Sequence, residues 1–243
     1  MSFQQYLILS GITLFAAFVQ SFSGFGFSLV AISFFTFFLP IDESAVIATM
    51  LLLPIIVTSL FTVRAHIRFR NSLPVLLTML IGLPIGILAL VRLGEQILLL
   101  GLGVFVLLTV TVNELTVKGK TRKPSLPLGA AAGLLSGMFG GAFSVSGPPV
   151  ALYFSITIEE KRELKANLLF ILLVQVVLRL VIFFAAGVAE ADMIKICLVL
   201  AVPLAAGGFA GMKLFNRVPS VAIRRVVQVL LVASSVSLIL RSI

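Results

Sequence analysis

The chain has 243 residues, 60% of them hydrophobic and 11% charged, with a mean hydropathy of +1.23. Soluble domains run nearer about 45–50% apolar and about 25% charged, so the composition is that of an integral membrane protein with no room for a sizeable soluble domain. The formal charge of +9 would suit a nucleic-acid binder, but the basic residues lie in short connections between apolar runs. That is the loop bias of membrane proteins, and nucleic acid is not an expected partner; the lone Cys197 excludes an intrachain disulfide.

The first residues, Met1 to Tyr6, carry no basic cluster, and no small-residue cleavage site follows the apolar run behind them. No cleaved signal peptide is expected. A bilayer core takes roughly 20 apolar residues per helix. On that scale the chain reads as segments 5–22 and 26–39, then 45–63, 73–91 and 96–112, followed by a basic linker. The second half reads as 127–143 and 148–157, then 166–186, 193–213 and 221–240. The expected domains are a first membrane repeat at 1–112, a cytoplasmic linker at 113–126 and a second membrane repeat at 127–243.

Two stretches break this pattern. Gln20-Ser21-Phe22-Ser23-Gly24-Phe25-Gly26-Phe27-Ser28 interrupts the first apolar run, and the stretch from Ser136 to Pro149 interrupts a later one. Irregular backbone at membrane depth survives only when buried in protein or lining a cavity. Two such stretches at corresponding places in two halves point to a transport site. The halves look related: Ser23-Gly24 matches Ser136-Gly137, and Gly82-xxx-Gly86 before Arg92 matches Gly207-xxx-Gly211 before Arg217. Small-xxx-small spacing lets helices approach closely.

The run from Gln5 to Leu39 would be roughly 52 Å long as one helix, well beyond the ~30 Å core. The break is therefore expected to fold it into a hairpin with both ends on one side. Each half then has a hairpin plus three crossings, and the second half is inverted. Counting each broken pair once gives about eight membrane segments in an all-α, polytopic fold.

The charges support this. With hairpins, one side carries Arg64, Arg68, Arg70, Lys118, Lys120, Arg122, Lys123, Lys161, Arg162, Lys165, Lys213, Arg217, Arg224 and Arg225. The other carries Arg92, Lys195 and Arg241, with Arg179 inside the membrane. Single crossings in place of hairpins would erase the asymmetry. The basic side is expected to face the cytoplasm, with both termini outside the cell inner membrane.

At each tip a half-helix begins just after the break, presenting free N–H groups and the positive end of the helix dipole, a ready anion site. Pro148 and Pro149 suit a helix start. The candidate binding residues of the second tip are Ser144, Ser146 and Gly147, together with Ser136, Gly137, Gly140 and Gly141. Those of the first are Gln20, Ser23, Gly24, Gly26 and Ser28. Arg179 lies mid-span with Gln175 four residues earlier on the same face. A central arginine costs about 2.5–3.5 kcal/mol on insertion scales and is usually functional. It reads either as an anion partner or as a donor to carbonyls at a hairpin tip. His66, in a basic loop, reads as solvated. Every Asp and Glu falls at a span edge or in a loop, and no HExxH, P-loop, nucleophile–His–Asp set or Cys/His cluster occurs. No enzyme activity, metal or cofactor is expected.

Through the two glycine-rich stretches, Gln20 to Phe27 and Gly133 to Gly141, and through its size and two-half layout, the chain resembles the TauE/SafE sulfite-exporter-like family, also called the toluene-sulfonate uptake permeases. The resemblance spans essentially the whole chain. It implies a permease or exporter for small sulfur-containing anions such as sulfite or organosulfonates, with Ser23, Gly24, Gly26, Ser136, Gly137, Gly140 and Gly141 lining the transport site. The first stretch departs from the family's richer glycine run, with Phe25 and Phe27 between its small residues. The expected function is alternating-access transport of a small anion. An anion channel and a non-transporting membrane scaffold are the alternatives.

Overall fold

The computed structural model describes residues 3–23, 25–116, 125–214 and 220–242, and of these all side chains except 22, 23, 70, 71, 112–116, 191, 214 and 220–226. Ten α-helices account for them: α1 (Phe3–Ser23), α2 (Phe27–Phe35), α3 (Ile41–Val63), α4 (Phe69–Arg92), α5 (Glu95–Thr116), α6 (Leu126–Phe143), α7 (Gly147–Thr157), α8 (Lys161–Ala185), α9 (Ala191–Leu214) and α10 (Ser220–Ser242). Each segment expected from the sequence corresponds to one of them. Six of the described helices are long and apolar enough to cross a bilayer, and α5 and α10 carry shorter apolar stretches. The chain is an all-helical polytopic membrane protein. Large apolar side chains such as Leu77, Ile81, Leu198, Val202 and Phe209 face outward, as a lipid-contacting surface requires, while Phe27, Phe35, Phe154 and Phe183 fill the interior.

The first two helices of each half form an unequal hairpin. In the second half, Ser136 Oγ on α6 donates to the Ser146 carbonyl at 2.9 Å, and further down the same pair the Tyr153 ring lies against Gly129. α7 therefore returns antiparallel along α6. The short arms α2 and α7, of 9 and 11 residues, reach about 14 and 17 Å, half of a bilayer core. The second break is narrower than its sequence suggests. Helix α6 runs through Ser136-Gly137 to Phe143, and only 144–146 is irregular. A helix accepts buried glycines where close packing compensates their entropy cost, so composition alone overextends the break.

The strongest packing joins the halves crosswise. Gly82 and Gly86 of α4 sit against the carbonyls of Leu134 and Met138 of α6. Gly207 and Gly211 of α9 sit against those of Leu14 and Phe18 of α1. In both pairs the residue numbers climb together, so the helices are parallel and in backbone contact, which only glycine permits. The two sets are equivalent at separations of 120 in α1/α6 and 125 in α4/α9. The Ser23–Gly24 pair therefore corresponds to Phe143–Ser144, not to Ser136–Gly137, which lies two helical turns earlier.

Helix α3 runs opposite to its counterpart α8. The connection that follows α3 meets the start of α8 through His66 Nε2–Glu160 at 3.9 Å and Arg68 Nε–Glu163 at 3.2 Å. Asn167 Oδ1 accepts from the Arg68 N–H at 3.0 Å and from Ser72 Oγ at 2.9 Å. At the other end, Glu43 in the first turn of α3 lies within electrostatic reach of Glu190, just before α9. Equivalent helices pointing in opposite directions make the second half an inverted copy of the first.

Candidate functional site

The two tips meet. Gln20, Phe25, Gly26, Ser28 and Leu29 from the first and Val145, Ser146, Gly147 and Pro148 from the second surround one small cavity. Leu52 of α3 and Leu172 of α8 close its sides. Leu52 and Leu172 are themselves 120 residues apart and each lies near the middle of its helix, so the cavity sits at mid-depth of both. Its empty space, with the open mouth counted in, is about 260 Å³.

Each tip is built by a different device. Gly26 takes a left-handed conformation at φ 118° and starts α2. The Phe27 N–H, first in that helix, is held by Gln20 Oε1 at 3.0 Å. In the second tip the left-handed residue is Ser144, at φ 58°, a conformation that costs a non-glycine residue about 1–2 kcal/mol. Its hydroxyl offsets this by donating to the Ala45 carbonyl at 2.7 Å and contacting Thr49 Oγ1 at 2.8 Å, which ties the tip to α3. Gly140 occupies the place equivalent to Gln20. There a side chain would run into the Gln175 amide and the Ser146 side chain. Gln175 instead approaches from α8 and donates to the Ser136 carbonyl at 2.8 Å. So each tip has one glutamine, supplied by its own hairpin in the first half and by α8 in the second.

Of the first backbone N–H groups, that of Phe27 in α2 is taken by Gln20, and α7 lacks two because Pro148 and Pro149 have none; the rest of each first turn has no intrahelical acceptor, and both helix starts border the cavity. Two hydroxyls there, Ser28 Oγ and Ser146 Oγ, are buried and find no hydrogen-bond partner among the described protein atoms. Ser28 is 6% exposed and Ser146 2%. Buried hydroxyls are almost always satisfied, so two unsatisfied ones facing the same space stand out. The cavity combines two positive helix ends, two free donors and apolar walls, a combination suited to a small desolvated anion.

The remaining candidates are distributed as follows. Gly26, Ser28, Gln20, Ser146 and Gly147 border the cavity. Gly137 and Gly141 point away from it, onto Met79, Leu83 and Ile87 of α4. Ser136, Gly140 and Gln175 form the polar layer beneath the second tip, and Ser144 is the brace to α3. Arg179 is fully buried and donates through Nη1 to the Gly140 carbonyl, but does not border the cavity. Gly24 and the Ser23 side chain lie outside the described residues. The sequence reading passed over Leu52, Leu172 and the Thr49 brace. Aligning the two breaks at 120 residues would have exposed the two leucines, while nothing in the sequence marks Thr49.

Across residues 9–238 the chain matches the family model described as Sulfite exporter TauE/SafE. No match to a curated protein or to a solved structure was found.

Proposed function

Because the chain belongs to the Sulfite exporter TauE/SafE family, a family of membrane transporters, we propose that it carries a small sulfur oxyanion, sulfite or a short organosulfonate, through the cavity between its tips. The observation that carries this reading is the convergence of Ser28 Oγ and Ser146 Oγ, both buried and unpartnered, with the N-termini of α2 and α7 on one space. An oxyanion supplies the acceptors those donors lack, and hydrogen bonds to a charged acceptor contribute about 1.5–3 kcal/mol each. The apolar walls exclude water and strengthen each contact.

Alternating access fits an inverted pair of halves with the site at mid-depth. One half would rock against the other, opening the cavity first to one side and then to the other. The basic side faces the cytoplasm of an inner membrane and both termini lie outside. The test is uptake of labelled sulfite into liposomes holding the purified protein, with an organosulfonate as competitor. Saturable, competed uptake is expected. Unitary currents through a planar bilayer would make the protein a channel, and no flux of any sulfur anion would remove the substrate assignment.

A further inference from the structure

The Arg179 side chain is among the largest that are fully buried. Its Nη1 holds the Gly140 carbonyl near the C-terminus of α6. Among the described residues its Nε and Nη2 have no acceptor, and no carboxylate pairs with it. In a guanidinium the Nε and Nη2 hydrogens lie parallel along one edge, the edge that takes two oxygens of an oxyanion at once. The open donors are therefore the matched pair and not a random remainder. A buried cation without a counter-charge is costly, and the α6 carbonyl only partly offsets it.

Comparison of the halves shows that the hairpin does not require this charge. At the 120-residue separation the counterparts of Arg179, Gln175 and Gly140 are Ser59, Ile55 and Gln20. The first half thus has an uncharged serine at the position equivalent to Arg179. Arg179 stands seven residues beyond Leu172 on α8, roughly 10 Å further along the helix axis, and Leu172 borders the cavity while Arg179 does not.

We propose that the open edge of Arg179 is a second anion site, separate from the Ser28–Ser146 cavity and behind the second tip, holding a small inorganic anion. The matched edge favours an oxyanion such as the cargo itself, and a halide from the medium is the other source of the same chemistry. This site follows from the unpaired guanidinium and stands whether or not the cavity binds sulfite.

The experiment is equilibrium binding of labelled sulfite to the purified protein in chloride-free buffer, repeated with chloride added back. Two equivalents per chain are expected in the wild type. Arg179→Gln should lose one of them and keep the other, while Ser28→Ala combined with Ser146→Ala should lose the complementary one. Arg179→Lys keeps the charge but not the paired edge, and should weaken its site more than tenfold. Displacement of the Arg179 equivalent alone by chloride would identify the halide as the usual occupant. One equivalent that is lost in Arg179→Gln and untouched by the serine changes would uphold this site and overturn the cavity reading. Unchanged stoichiometry in both Arg179 variants, or a wild type in which the serine changes abolish all binding, would overturn the proposal. If Arg179→Gln does not fold, the lysine variant decides between these outcomes.

Discussion

Ser28 and Ser146 carry hydroxyls with no hydrogen-bond partner among the described residues of the empty protein. Removing an unsatisfied buried hydroxyl leaves no orphaned group behind, so Ser28→Ala and Ser146→Ala should leave thermal stability unchanged or slightly raised. Each should weaken sulfite uptake on the order of 10–100-fold, read as a higher half-saturation concentration in liposomes, because a hydrogen bond to a charged acceptor is lost. Ser144→Ala should behave in the opposite way. Its hydroxyl is fully used, at 2.7 Å from the Ala45 carbonyl, and supports a left-handed residue. The expected loss is about 1–3 kcal/mol of stability, with surviving protein binding substrate normally; a stable Ser144→Ala variant would show that the brace is dispensable. The three serines share a residue type and a stretch of sequence, so composition marked them alike. What separates them is where the backbone turns, and that depends on α3, a helix nearly a hundred residues away in the chain.

Among the elements, the glycines divide just as sharply. Gly86 and Gly207 meet backbone carbonyls of a neighbouring helix, and a methyl group at either has nowhere to go, whereas Gly94 and Gly11 have open space around them. Gly86→Ala and Gly207→Ala are expected to cost about 1–3 kcal/mol each by overpacking, and Gly94→Ala nothing measurable. Heat-induced exposure of the half-buried Cys197 thiol to a reactive dye would report the midpoint for each variant. Helix existence, hairpin folding and the small-xxx-small pairs were all legible, because each rests on length, hydropathy or local spacing. The partner of each glycine face was not legible. Gly137 and Gly141 read as site residues from their company of serines, yet they are the reciprocal half of the α4–α6 contact. The seven-residue slip between Ser23–Gly24 and Ser136–Gly137 has the same origin. Seven residues is two helical turns, so a wrong alignment still keeps small residues on one face.

The whole molecule is two inverted halves joined across each other. The connection after α3 meets the start of α8 at His66–Glu160 and Arg68–Glu163, whereas the start of α3 brings Glu43 near the like-charged Glu190. One end of α3 thus has the Arg68–Glu163 ion pair beside it, and the other has two like charges near each other. In a Cys197→Ser background, Arg64→Cys and Arg92→Cys should be labelled by an impermeant thiol reagent from opposite sides of sealed vesicles, with position 64 reached only from the cytoplasmic side. Labelling of both from one side would remove the topology.

The crosswise pairing of α1 with α9 also sets an order of events at the ribosome. Helix α1 ends at Ser23 and its partner begins at Ala191, so at 5–20 residues per second the first helix waits roughly 10–30 s in the membrane before the surface it needs is made. During that interval the carbonyls of Leu14 and Phe18 have no glycine face against them. The first half should consequently be a poor substrate for independent maturation and a good one for membrane quality control. Residues 1–120 expressed alone should be degraded, and co-expression with 121–243 should restore both fragments and transport. Stable accumulation of the first fragment by itself would show that the nascent helix finds shelter elsewhere.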